Sequence, residues 1–285
     1  WLRSARQTDQ HFPWCGNVRI KVNEQYSEVF EGISCFKLRE GIKPEADIII
    51  LNGFPIKEDK LLKDGDSISF IKRGEIPKKE ELEALLVARH TPKVYEIVKN
   101  ISIGIAGAGG LGSNIALSLA RLGVINIKVV DFDIVEPSNL NRQQYYIKDI
   151  GDYKVTALKR TLEEVNPFIE VIPIIKKLSK ENIKETFNDV DIIFEAFDNP
   201  ECKAELSNIV LTEMRDKVLI ASSGMASYYP SNEIITRKIN NKFYICGDGV
   251  NEAKEGSGLM APRVAICANH MANCALRIIL GEEGE

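Results

Sequence analysis

Residues 107–112 read Gly107-Ala108-Gly109-Gly110-Leu111-Gly112. The apolar run Ile101 to Ala106 precedes them, and Leu111, Ile115, Leu119 and Leu122 then recur on one helical face. A second apolar run, Ile125 to Val130, ends in Asp131. The pattern predicts a βαβ unit with G-x-G-x-x-G between its first strand and its helix. Glycines there let the backbone turn tightly and approach a phosphate, and the helix start offers unpaired N–H groups at the positive end of its dipole. Asp131, about 20 residues beyond, stands where an acid accepts a ribose hydroxyl. Gly107, Gly109, Gly110, Leu111, Gly112 and Asp131 are therefore candidate nucleotide ligands. The competing reading is a set of glycines that only packs a strand against a helix.

Downstream, the polar stretch Asp133-Ile134-Val135-Glu136-Pro137-Ser138-Asn139-Leu140-Asn141-Arg142-Gln143 is too long for an ordinary strand–helix turn. Long loops at that end of a sheet tend to carry function. Gly151-Asp152-Tyr153-Lys154 leads into a helix marked by Val155, Leu158, Leu162 and Val165. Val171 to Ile175 and Asp191 to Ala196 read as strands, and Asp198-Asn199-Pro200 opens another helix. Val218 to Ala221 is a further strand, a hairpin turns around Asn240-Asn241, and Pro262 opens the last helix. Alternating strands and helices imply a Rossmann-like, mainly parallel sheet covered on both faces. A triphosphate carries about four negative charges, more than N–H donors offset well, so cations are expected. Arg142 can fork two phosphate oxygens, and Lys154 is a point charge at a helix start; a solvated surface pair is the competing reading.

Upstream, Val18, Ile20 and Val22 alternate with Arg19 and Lys21, and Asn23-Glu24-Gln25 turns the chain into Tyr26 to Phe30. A short helix over 36–40, a strand Asp47 to Leu51 stopped by Asn52-Gly53, and a strand Ser67 to Ile71 complete the order β-β-α-β-β. That order within under 60 residues predicts a small β-grasp domain over 17–76, after a loose tail at 1–16. Pro77-Lys78-Lys79 is the linker to a nucleotide-binding domain over 77–285, which begins with a helix from Glu80 to Ala88. Gly247 to Gly258, glycine-rich and polar, is expected to order around a substrate.

Composition narrows the functional classes. The apolar share of 44% and charged share of 27% are those of a globular protein, and the net charge of −4 gives no basic field for nucleic acid or an anionic membrane. No apolar run nears the roughly 18 residues of a membrane span. The N-terminus lacks a basic region followed by an apolar core. Six cysteines at 15, 35, 202, 246, 267 and 274 form no disulfide framework, so a reducing cytoplasm is the expectation.

Four blocks in order resemble the ubiquitin-activating-enzyme superfamily: the glycine loop; Asp131-Phe132-Asp133 with Ser138-Asn139-Leu140-Asn141-Arg142-Gln143; Gly151…Lys154; and Ala196-Phe197-Asp198-Asn199. The likeness spans roughly 80–285, and the N-terminal region resembles the ubiquitin-like sulfur carrier of thiamine synthesis, through Asn52-Gly53 and Leu62-Lys63-Asp64-Gly65-Asp66. Together they resemble ThiF-type adenylyltransferases with a fused ThiS-like domain. The resemblance implies an ATP-dependent enzyme that activates the C-terminal glycine of a separate ubiquitin-like sulfur carrier, ThiS or a molybdopterin-type carrier, with no protein nucleophile. It assigns Asp131 to the ribose, Asn139, Arg142 and Lys154 to phosphates, and Asp198 to Mg²⁺. Asp133 is either a second ligand or a turn residue, and Asp198 has the competing role of helix N-cap. Arg89 is assigned to the ATP of the partner subunit in a homodimer. The two C-x-x-C pairs of zinc-binding relatives are absent, so no zinc is expected; Cys267, His270 and Cys274 share a helix face as core residues. Cys202 and Cys246 are the candidates for a covalent intermediate, against burial as small apolar residues. The rival readings are an NAD-dependent oxidoreductase on the same fold and a catalytically silent scaffold.

Overall fold

In the computed structural model, which describes residues 16–83 and 93–282, the alternation of Val18, Ile20 and Val22 becomes strand β1 (Asn17–Val22), with these three side chains buried. β1 pairs antiparallel with β2 (Gln25–Phe30) across Asn23 and Glu24, both left-handed, at φ 46° and 66°. Two positive-φ residues give the turn whose twist matches that of the strands it joins. Helix α1 (Cys35–Ile42) is capped by Ser34, whose hydroxyl accepts the Lys37 N–H at 3.2 Å. β5 (Ser67–Ile71) lies between β1 and β3 (Ile48–Leu51), parallel to the first and antiparallel to the second. The expected stop at Asn52-Gly53 is a second two-residue hairpin, leading into β4 (Phe54–Ile56). Pro55 has no N–H to give, and β4 is an edge strand, where this is tolerated. Three residues with a central proline carry no alternation, so sequence period does not reveal this strand.

Residues 1–91 and 92–285 form separate units. Helical backbone at 79–83 begins the helix expected from Glu80. The rest of that helix, the tail before residue 16, and Arg89 lie outside the described residues.

The second unit holds α2 (Val94–Val98) and a seven-stranded sheet: β6 (Ser102–Ala106), β7 (Asn126–Val130), β8 (Glu170–Ile174), β9 (Ile192–Glu195), β10 (Val218–Ser222), β11 (Ile235–Asn240) and β12 (Phe243–Gly247). Its order is β11-β12-β10-β9-β6-β7-β8, with β11 the one antiparallel member. β6, where the glycine loop begins, has β7 on one side and β9 on the other, so strand order reverses there. Crevices for ligands open at the carboxyl ends of strands at such a point. The helices are α3 (Gly110–Leu122), α4 (Lys154–Val165), α5 (Ile183–Phe187), α6 (Pro200–Glu213) and α7 (Ala261–Ile279). α5 is absent from the periodicity reading because one and a half turns show no period. Phe187 anchors it against β6: a Cβ on Gly104 would lie 2.6 Å from the Phe187 ring. Among the described residues no helix is long and apolar enough to cross a membrane.

Candidate active site

Gly107 leaves β6 at φ 100°, and a Cβ there would meet the Ala196 carbonyl oxygen at 2.8 Å. A Cβ on Gly112 would sit 1.9 Å from the Gly107 carbonyl oxygen, so the helix can start this close to the strand only without a side chain. The Ala108 peptide is held on both sides. Its N–H donates to Asp131 Oδ2 at 2.7 Å, and its carbonyl accepts the buried Tyr145 hydroxyl at 2.7 Å. The N-cap of α3 is Gly109, which brings no side-chain acceptor and leaves the first-turn N–H groups to a ligand.

These groups face a cavity of about 640 Å³. Gly107, Gly109, Gly110 and Leu111 line it, as do Asp131, Asp133, Arg142, Lys154 and Asp198. Gly112 and Asn139 do not: the first packs helix on strand, and the second is buried with its carboxamide accepting the Glu136 N–H at 3.0 Å. The Asn139 carbonyl in turn accepts the N–H groups of Arg142 and Gln143, so Asn139 shapes the turn that carries Arg142.

Asp131 is half-buried. Burial raises its carboxyl above the ordinary value, against the N–H groups of Ala108 and Asp133 and the charge of Lys154. Each of its oxygens already takes one backbone N–H, and a carboxylate oxygen has room for a second donor such as a ribose hydroxyl. Asp133 is the counter-ion of Lys154, whose buried ammonium lies 2.7 Å from its carboxylate. Arg142 has no carboxylate partner among the described residues; it donates to the Ser138 carbonyl and Asn141 Oδ1, while its Nε is buried without an acceptor. The N-cap of α6 is Asn199, whose side chain accepts the N–H groups of Glu201 and Cys202. Asp198 is thereby released from the capping role, and its exposed carboxylate makes no hydrogen bond or ion pair among the described residues.

A family model for ThiF matches residues 83–285. The chain belongs to the ThiF family. A model for ThiS-like ubiquitin matches residues 18–74. Among curated relatives, the "Sulfur carrier protein ThiS adenylyltransferase" of Bacillus subtilis is 30% identical over 201 residues, 68% of this chain and 59% of that protein. The "Adenylyltransferase and sulfurtransferase UBA4" of Scheffersomyces stipitis is 28% identical over 65% of this chain and 42% of its own length. The chain thus spans about half the length of these relatives. The E. coli tRNA N6-threonylcarbamoyladenosine dehydratase TcdA, solved in complex with ATP, superposes with a TM-score of 0.62 at 19% identity, covering 69% of this chain and 93% of that one, a likeness of fold.

The ThiF-family cavity has residues that sequence reasoning did not single out. Gln143, within a quoted block, lines it with a buried Oε1 that has no partner among the described residues. Lys176 and Lys177 follow β8 and also line it. Lys203 lines it from α6 while bound to the buried Glu195, a pair that no local period announces. Of the cysteines, Cys202 is half-buried in the cavity wall, whereas Cys246, Cys267 and Cys274 are fully buried. Burial pushes the Cys267 thiol up to about 12. His270 shares a hydrogen bond of 3.2 Å with the Thr236 hydroxyl.

At the start of the glycine-rich segment, Asp248 is held through both carboxylate oxygens. Its Oδ1 accepts the N–H groups of Val250 and Asn251, and its Oδ2 takes the Asn251 amide and the Arg263 guanidinium. Arg263, 3% exposed, also donates to the carbonyls of Tyr229 and Pro230. Burial opposes ionisation of Asp248, but these donors prevail and hold its carboxyl at about 2, from an ordinary 3.8. A lowered folded-state value stabilises the fold above the unfolded value, and this stability is lost as pH falls through about 2. Asp248→Asn is therefore expected to remove about 2 kcal/mol of the stability that the protein loses between pH 5 and pH 2. Urea unfolding at the two pH values measures it; an equal acid loss in parent and variant contradicts it.

Proposed function

We propose that this chain is an adenylyltransferase acting on the C-terminal glycine of a ubiquitin-like sulfur carrier. The observation that carries the reading is convergence: the glycine-loop helix start, Arg142, Lys154 and an uncommitted Asp198 carboxylate face one cavity. An NAD oxidoreductase accounts for the glycines and Asp131 but not for Arg142, Lys154 and Asp198 together.

The chemistry follows from charge. The helix start, Arg142 and Lys154 bind and orient the triphosphate; Lys154 is already desolvated and aimed by Asp133. A carboxylate oxygen of the carrier attacks the α-phosphorus, the α–β bridging bond breaks, and pyrophosphate leaves with the electron pair. Asp198 suits Mg²⁺ held in the manner typical of that ion, by one carboxylate together with substrate phosphates. No cluster of three or more His, Cys, Asp or Glu residues able to cage a metal occurs among the described residues. When bound, Mg²⁺ neutralises charge on the phosphates and the leaving pyrophosphate. No protein nucleophile is required.

ThiS is the favoured carrier, supported by the ThiS-like match at 18–74 and the name of the Bacillus relative. The UBA4-named relatives favour a different ubiquitin-like carrier as the second reading. The N-terminal unit is not itself the substrate. Gly74 is followed by Glu75, whose carboxylate bonds Lys43 at 2.5 Å, and the Arg73 N–H donates to Asp47 at 2.9 Å, so this tail is tied to its own domain. Incubation with ATP and each candidate carrier is expected to add the mass of AMP to the carrier and none to this chain. NAD binding without AMP transfer supports the oxidoreductase, and binding of neither nucleotide the scaffold.

Arg89 completes the partner's site in a homodimer. Mixing inactive Arg89→Ala with inactive Lys154→Ala is then expected to restore about a quarter of parental activity, because half of the dimers carry one intact site of two. A monomer in sedimentation, or no rescue after subunit exchange, opposes it.

A further inference from the structure

Glu195 is the last residue of β9 and is 1% exposed. Its Oε1 accepts Lys203 Nζ at 3.0 Å and the Phe197 N–H at 2.8 Å; its Oε2 accepts Lys203 Nζ at 2.9 Å and the Ser222 N–H at 3.4 Å. Lys203 Nζ also donates to the Ser222 hydroxyl at 2.9 Å and the Ser222 carbonyl at 3.3 Å. One ion pair thus ties together the end of β9, the end of β10 and the first turns of α6. Asp198 lies on the short segment between the two partners, three residues after Glu195 and five before Lys203, in the cavity wall.

A buried ion pair is weak evidence for stability, since its desolvation cost rivals its attraction and apolar packing often does as well. What it supplies is fixed geometry. The bond to the Phe197 N–H sets the direction of the turn that presents Asp198, and the bonds to Ser222 lock that turn to the end of the neighbouring strand β10. The Lys203 ammonium is saturated by these acceptors and is not free for a phosphate.

We propose that the Glu195–Lys203 pair, closed by Ser222, is a positioning clamp that aims the Asp198 carboxylate at the metal–phosphate position of the cavity. The proposal rests on the nucleotide reading above. Residues behind a metal ligand typically change metal affinity by about 10–100-fold when removed.

The test uses the full chain, ATP and Mn²⁺ as the metal probe, with affinities from calorimetry and Mn²⁺ coordination from electron paramagnetic resonance. In the parent, Mn²⁺ is expected to tighten ATP binding. Lys203→Met is expected to keep metal-free ATP affinity within about threefold of the parent and to lose about tenfold or more of the Mn²⁺-dependent gain. Lys203→Arg, whose forked donors reach both Glu195 oxygens, is expected to recover most of that gain. Ser222→Ala, a milder change that removes one acceptor, is expected to lose about threefold, and it decides the matter where Lys203→Met fails to fold. An unchanged Mn²⁺ gain in Lys203→Met or Ser222→Ala overturns the clamp while leaving the nucleotide reading intact. Parallel loss of metal-free and Mn²⁺-dependent binding overturns it in favour of a merely structural pair. A parent that binds ATP without a Mn²⁺ gain, or binds no ATP, overturns both.

Discussion

Lys154→Ala is expected to lower carrier-dependent pyrophosphate exchange by about 10²–10³-fold, the usual effect of removing one preorganised charge from a transition state. The reason is placement as well as charge. The ammonium is buried at the first residue of α4 and is already aimed by Asp133, so little reorganisation accompanies its turn toward a phosphate. The loss falls on catalysis rather than folding. Alanine is a good helix former, and Asp133 is half exposed, so its carboxylate regains water when its partner is removed. Asp198→Ala is expected to act similarly, because its carboxylate supports nothing else in the fold among the described residues. Exchange rates beside thermal melts check both. Near-parental exchange in folded Lys154→Ala is incompatible with its phosphate assignment, and in folded Asp198→Ala with its metal assignment.

Gly112→Ala is expected to cost both stability and activity, although no Gly112 atom faces the cavity. Its added Cβ falls 1.9 Å from the Gly107 carbonyl oxygen, and the atom in the way is backbone, which cannot swing aside. Helix α3 has to move off β6, and its N–H groups move with it. Overpacking of this kind typically costs about 1–3 kcal/mol. A shift of about 1 Å in a positioning element typically costs about 10²-fold in rate. Gly109→Ala is the control: the nearest atom to its added Cβ is 4.0 Å away, so stability is preserved and any loss arises from crowding of the ligand. Urea unfolding and ATP titration of the two variants separate the effects. Equal stability of Gly112→Ala and the parent contradicts the contact.

Much of the molecule was legible in the linear chain because its signals are local. A glycine turn between an apolar run and a 3.6-residue period needs only the neighbouring twenty or so residues to be recognised. The same holds for the alternation at Val18, Ile20 and Val22, and for Pro200 at the start of α6. The sheet order, β4 and α5 were settled by tertiary structure, since a three-residue edge strand and a five-residue helix carry no period and form against neighbours. The candidate site divides in the same way. Residue types and spacing made Asp131, Arg142 and Lys154 candidates, and the family resemblance added Asp198. Which partner each side chain takes was decided by the fold: Asp133 pairs with Lys154 across 21 positions, and Lys203 meets Ser222 across 19. Asn139 turns inward to cap its own loop, and Asn199 takes the cap that Asp198 had as an alternative. Such contacts depend on where strand ends converge at the point of strand-order reversal, a property of the whole sheet that no short window of sequence contains.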